Sequence, residues 1–266
     1  MNTKEIHEKT LLKKITKKDN LFHGDFTLDP YQNCSFGCYY CDSSFDPIIY
    51  IKQNALSVLQ DEIKNKKNKR IIIGSVHDPY QPIEQTTKLT RNILSFLLTK
   101  NQPIHILTKS PLILRDIDLL TQFHEVLITI SIPFIDTEIS SLFEPMVANP
   151  FDRMKIISTL KAHHIKAGIA AIPIIPYISD SDEALTTLFN TAKSHNTEYI
   201  LCKYLQLKGD QKYRMFQLIK TQFPQVFQQF KTQYFLTINP LTPYQINLTN
   251  KIQNIAQHYH IPLQIK

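Results

Sequence analysis

Short apolar runs alternate with amphipathic ones along most of this chain. Residues 25–29 form a first candidate strand that leads straight into a cysteine-bearing loop. Residues 54–67 have helical spacing, with Leu56, Leu59 and Ile63 on one side. Residues 70–76 are a short continuous apolar run, which suits a strand buried on both faces. The pattern then predicts helix at 87–99, strand at 104–108, helix at 116–123 and strand at 126–132. A helical stretch follows at 153–164, after Pro150. Residues 166–175 are apolar and β-rich and run into Pro176, followed by a helix at 182–193 and a strong strand at 199–205.

About six β–α units in order imply a parallel sheet covered by helices. Such units close into a barrel or open into a doubly wound sheet, and in both the active site sits at the C-terminal ends of the strands. Residues 209–266 are less regular, with helix expected at 211–230 and 252–260. The expected organisation is a basic N-terminal extension (1–20), a core (21–208) and a helical cap packed on it (209–266).

Charge adds a second layer. The formal net charge is +7. Lysines gather at the N-terminus (Lys4, Lys9, Lys13, Lys14, Lys17, Lys18) and again at Lys64, Lys66, Lys67 and Lys69 beside Arg70. Such runs are either a solvated terminus and helix end or a surface that tracks phosphates. No apolar stretch approaches the roughly twenty residues of a membrane-spanning helix. The lysine-rich N-terminus has no apolar core of a secretory signal. A cytoplasmic protein is expected.

The chemistry lies in the cysteines. Three of four fall in Cys34-Ser35-Phe36-Gly37-Cys38-Tyr39-Tyr40-Cys41, with C-x3-C-x2-C spacing. Clustered thiols plus one distant thiol do not read as a disulfide framework. Thiolates are the natural ligands of iron–sulfur clusters, and three would leave the fourth iron of a cubane open to a ligand. The alternative is zinc, held by the three cysteines and a histidine such as His23 or His77.

With Tyr40 just before the last cysteine, this motif resembles the signature of the radical S-adenosylmethionine (SAM) superfamily. Further segments resemble its spore photoproduct lyase-like branch: HDPYQPIE (77–84), LTR (89–91), LTKSPLILRDIDLL (107–120), ITISIP (128–133), Glu144-Pro145 with Arg153, and KAGIAAIPIIPYISD (166–180). The resemblance covers roughly residues 25–180. It implies an α/β fold, a partial (β/α)6 TIM-type barrel with a short C-terminal cap. It also implies a 4Fe–4S cluster on Cys34, Cys38 and Cys41, with SAM chelated at the open iron and cleaved reductively to a 5′-deoxyadenosyl radical that abstracts hydrogen from a substrate.

The same resemblance places Tyr40, Ser75, His77, Lys109, Ser131 and Ile174 around SAM. Lys109 would approach the SAM carboxylate, Ser131 the ribose or amino acid part, and Ile174 the adenine. Each has a plainer reading: a loop lysine, a helix-capping serine, a strand end, and for the neighbouring Asp78 a turn residue. Glu144 with Arg153, and Arg115 with Asp116, are either ion pairs that set loop geometry or surface salt bridges of little weight.

Spore photoproduct lyases return hydrogen to the product from a cysteine after the second strand. Ser75 stands near that place here, which leaves Cys202 as a candidate hydrogen donor or a small core residue. Implied partners are a flavodoxin- or ferredoxin-type electron donor and a DNA or RNA substrate. Two rivals remain: a zinc- or Fe–S-bearing nucleic-acid-binding module without SAM chemistry, and a radical enzyme that modifies a partner protein.

Overall fold

Isoleucine-rich runs set the frame, because the parallel strands of the main sheet are sandwiched between helices on one side and the barrel interior on the other. The computed structural model describes residues 2–16, 21–42 and 46–265. The chain runs through β1 (Asn2–Ile6), β2 (Lys13–Lys14), β3 (Phe26–Leu28), β4 (Tyr31–Gln32), β5 (Ile48–Lys52), α1 (Ala55–Glu62), β6 (Ile71–Ile73), α2 (Glu84–Thr87) and α3 (Leu89–Thr99). It continues through β7 (Ile104–Thr108), α4 (Ile117–Leu120), β8 (Val126–Ser131), α5 (Thr137–Phe143), α6 (Pro150–Ala162), β9 (Lys166–Ile174), α7 (Asp182–Ser194) and β10 (Ile200–Tyr204). The last elements are α8 (Gly209–Gln222), α9 (Phe227–Gln233) and α10 (Thr242–Tyr259).

Strand order in the main sheet is β10-β9-β8-β7-β6-β3-β2. Every neighbouring pair from β3 to β10 is parallel, and β2 lies antiparallel at the edge. The order follows the chain without reversal. A doubly wound sheet would reverse at a switch point, so the winding is that of a barrel. Among the described residues β10 and β2 do not pair, so the barrel is partial.

Alternate side chains separate the two faces of the strands. Ile71, Ile73, Ile104, Ile106, Ile128, Ile130 and Ile169 join the layer between sheet and helices. His105, Thr129 and Tyr199 fill the interior, where Thr129 Oγ1 contacts the Tyr199 hydroxyl at 2.8 Å and His105 Nε2 at 2.6 Å.

A second sheet, β1-β5-β4, was not legible as strands. β1 is polar and largely exposed and pairs in parallel with β5 from Asn2↔Ile48 to Ile6↔Lys52. Backbone hydrogen bonds hold it, so no apolar alternation marks it. Part of the segment expected as a basic extension is therefore woven into the fold: Leu11 and Leu12 are buried, and their amides donate to Glu62 Oε2. Lys17 and Lys18 lie outside the described residues.

Helix boundaries moved for local reasons. Lys88, in the left-handed region at φ 51°, separates α2 from α3. The single helix expected at 211–230 breaks at Phe223-Pro224, since the residue before a proline avoids helical geometry. α10 begins at Thr242 with Pro243 in its first turn, ahead of the expected 252. Its buried positions are only Leu248, Ile252 and Ala256, a stripe too narrow to announce the first turns. The helix packs on α7 through the Phe189–Tyr259 ring contact and the Lys251–Asp182 ion pair at 2.9 Å.

Gly168 gives a direct test of the interior. A Cβ there would sit 2.2 Å from the Tyr199 ring, and the backbone at Gly168 has no positive φ to explain the glycine otherwise. Gly168→Ala is expected to destabilise the protein by about 1–3 kcal/mol through overpacking, read from urea unfolding.

Candidate active site

After β3 the chain enters the cysteine loop with two residues in the left-handed region, Asn33 at φ 65° and Gly37 at φ 64°. A Cβ on Gly37 would meet only Pro145, at 3.7 Å, so glycine is needed there for its backbone angle. Gln81, fully buried, brackets Cys34: it accepts from the Ser35 amide at 3.1 Å and donates to the Asn33 carbonyl at 3.1 Å. The Asn33 side chain donates to the Ile48 carbonyl at 2.9 Å. At the other end of the loop the Tyr39 amide donates to the Phe143 carbonyl at 2.9 Å.

Cys34, Cys38 and Cys41 line one cavity of about 560 Å³. This is within the usual range for small-molecule sites. The cavity opens over the C-terminal ends of the barrel strands: Gly74 and Ser75 follow β6, Lys109 follows β7, Ser131 ends β8, and Ala170 and Ile172 come from β9.

Burial pushes the Cys34 thiol up to about 12, with Asp78 adding to it. Burial also pushes Cys38 up to about 12, where Lys109 opposes and Glu144 and Cys41 add. Thiolates here need cations to offset their desolvation, and a polynuclear iron centre supplies several. Among the described residues no three Cys, His, Asp or Glu side chains are grouped to hold a single metal ion. Neither His23 nor His77 lines the cavity. The donor set of three thiols around one cavity fits an iron–sulfur cluster.

Beneath the loop lies a buried charge centre. Glu144 and Arg153 are both fully buried and pair at 2.6 Å. Lys109 Nζ lies 3.2 Å from the other carboxylate oxygen and donates to Ser131 Oγ. The Tyr40 hydroxyl donates to Glu144 Oε1, and the Lys109 ammonium sits over the Tyr40 ring at 5.4 Å. Arg153 also donates to the Ser131 carbonyl at 2.7 Å and to Ser140 Oγ at 3.0 Å. Burial pushes the Glu144 carboxyl up, but Lys109 and Arg153 outweigh it and hold it below the ordinary carboxylate value.

A family model described as the radical SAM superfamily matches residues 28–189, well over half of the 266 residues. The chain belongs to the radical SAM superfamily. Membership implies SAM and an iron–sulfur cluster as its cofactors, and it makes this protein a radical SAM enzyme. An uncharacterized protein of Methanocaldococcus jannaschii is 28% identical over 239 residues, covering 86% of this chain and 88% of that one. A spore photoproduct lyase mutant has the same fold, with TM-score 0.71 and 14% identity over 97% of this chain and 79% of that one. A further mutant of that lyase holds AdoMet and dinucleoside spore photoproduct, with TM-score 0.65 and 14% identity over 91% of this chain and 76% of that one. Streptococcus suis SuiB bound to precursor peptide SuiA has TM-score 0.60 and 12% identity, covering 90% of this chain and 47% of that one.

Of the residues expected around SAM in this radical SAM enzyme, Tyr40, Ser75, Lys109 and Ser131 line the cavity with the cysteines. His77 and Ile174 do not. The His77 amide donates to Asp29 at 3.2 Å in a loop anchored by that carboxylate. Ile174 is turned away by an extra residue in β9: Ala171 pairs with Cys202 and Ile174 with Tyr204, three steps against two. That shift flips side-chain parity, so Ile174 joins Ile169 and Ala171 in the helix-facing layer. Cys202 packs against the same layer and does not line the cavity. It is partly buried, and burial pushes its thiol up to about 12.

The surface-salt-bridge alternative fails for both pairs. Glu144 and Arg153 are fully buried, and so is Asp116, which accepts from Arg115, Arg91 and Tyr80. Glu84 is also buried and takes Arg115 at 2.7 Å and the Tyr31 hydroxyl. The segments HDPYQPIE, LTR and LILRD therefore meet as one polar network behind the loop. Asp78 is more than a turn residue: it accepts from Thr108 Oγ1 and the Lys109 amide, both at 2.7 Å. Burial raises its carboxyl above the ordinary value, against these hydrogen bonds. Gln81 and the cavity-lining Phe22, Asp46, Ala170 and Ile172 were not singled out by sequence. The signal was positional: Gln81 lies inside the HDPYQPIE segment, and Ala170 and Ile172 inside KAGIAAIPIIPYISD.

Removing Arg153 leaves Glu144 as a buried charge short of a partner. Arg153→Ala is expected to cost about 3–5 kcal/mol in urea unfolding, far more than an exposed pair such as Lys64–Asp61.

Proposed function

We propose that Cys34, Cys38 and Cys41 hold a 4Fe–4S cluster and that the cavity beside them binds SAM at its open iron for hydrogen abstraction from an organic substrate. When bound, the cluster supplies one electron that cleaves SAM to methionine and a 5′-deoxyadenosyl radical. The observation that carries the reading is the convergence of three cysteine thiols, Lys109 and Ser131 on one cavity at the strand ends.

Lys109 offers its ammonium to the SAM carboxylate. It is held ready by Glu144 and Ser131, which fix its direction without fully neutralising it. The Ser131 hydroxyl and the exposed Ser75 hydroxyl are the polar contacts for the amino acid and ribose parts. Ala170 and Ile172 take the apolar wall beside adenine, the place expected of Ile174. Tyr40, locked to Glu144, packs beside Cys38. Among the described residues lining the cavity, the loop cysteines are the only thiols. The proposal therefore ends at hydrogen abstraction and includes no cysteine that returns the hydrogen.

A nucleic acid is the favoured substrate class. Its support is the net charge of +7 and the similarly folded lyase, which holds a dinucleoside photoproduct. The peptide held by SuiB supports the rival class. A flavodoxin- or ferredoxin-type protein is the electron donor, and the setting is a reducing cytoplasm that keeps the thiols reduced. No helix among the described residues is long and apolar enough to cross a membrane.

Anaerobic reconstitution with iron and sulfide, then dithionite and SAM, is expected to yield 5′-deoxyadenosine, and Cys38→Ala to abolish it. Zinc uptake with no cluster and no product would favour the binding module. Lys109→Met is expected to raise the KM for SAM roughly tenfold or more, the weight of one charge-assisted hydrogen bond. An unchanged KM would remove Lys109 from the SAM site.

A further inference from the structure

The family match ends at residue 189, yet a later helix grips the cysteine loop. The first turns of α8 reach back across the sequence to residues 40–42. Gln211, nearly fully buried, donates to the Tyr40 carbonyl. Arg214 Nη2 donates to the Cys41 carbonyl at 2.9 Å. Lys208 Nζ lies 3.5 Å from Asp42. Gln211 is itself fixed, because its Oε1 accepts from the Lys208 amide at 2.8 Å and closes the helix start. Met215, Leu218 and Ile219 on the same helix are buried in the cluster that includes Phe36, Cys38 and Tyr40.

These contacts are unequal in kind to those at Cys34. There a neutral amide, Gln81, brackets the backbone. At Cys41 the partner is a guanidinium, held on the carbonyl of that residue and always charged. Reducing a 4Fe–4S cluster by one electron adds a unit of negative charge. A fixed cation on the backbone of one ligand residue favours the reduced form, and hydrogen bonds and net charge are known levers on cluster potential.

We propose that α8 is part of the cysteine site: Gln211 and Arg214 position the Tyr40–Cys41 end of the loop, and the Arg214 charge sets the reduction potential of the cluster held there. This rests on the cluster reading above. Arg214 is a positioning and tuning residue that does not line the cavity.

The test uses the full reconstituted chain. Iron and sulfide content, thermal unfolding and an EPR-monitored dithionite titration are compared for wild type, Arg214→Gln and Arg214→Lys. Arg214→Gln is expected to keep the wild-type iron and sulfide content. Its reduced-to-oxidised ratio at fixed potential is expected to fall about tenfold, or 59 mV for a one-electron couple. Arg214→Lys keeps the charge and is expected to stay within about threefold of wild type. An unchanged midpoint in Arg214→Gln overturns the proposal. So does a tenfold fall in Arg214→Lys, which decides the matter if Arg214→Gln fails to fold. A wild-type chain that takes up no iron would instead overturn the cluster reading itself.

Discussion

The whole site hangs on one buried carboxylate. Glu144 is taken out of water and held charged by Lys109 and Arg153, with Tyr40 donating to it as well. Each partner comes from a different element: Lys109 from the end of β7, Arg153 from α6, Tyr40 from the cysteine loop. An unpaired charge at such depth is costly. The carboxylate therefore fixes the relative positions of barrel, helix and loop, and leaves Lys109 at the cavity wall.

Around that centre the loop is tied at both ends by long-range contacts. Gln81, between β6 and α2, brackets Cys34. Gln211 and Arg214, on α8, take the carbonyls of Tyr40 and Cys41. A loop carrying three cysteines is thus made rigid by neighbours far apart in sequence. That suits the proposed cluster, whose ligands must be held at fixed spacing.

Much of this was legible because the barrel strands are buried on both faces. Their apolar runs at 104–108, 126–132 and 166–175 stand out without tertiary knowledge, and the cysteine spacing carries its own chemistry. The illegible parts have physical reasons. β1 is polar and exposed and stands on backbone pairing alone. The parity of β9 changes within the strand, so a face assignment counted from Ala170 to Ile174 fails. The Glu144–Arg153 pair was visible as a pair. Its burial was not, because local sequence does not reveal what the C-terminal helices and the loop cover. The α8 contacts had no sequence signal, since a glutamine and an arginine on an amphipathic helix read as surface.

The claim on which the account turns is an iron–sulfur cluster with one open iron facing the Lys109 side of the cavity. EPR of the dithionite-reduced, reconstituted protein, with and without SAM, tests it most directly. The account predicts a reduced-cluster signal whose g values shift when SAM is added. A signal that SAM leaves unchanged, with every iron already ligated, would contradict it.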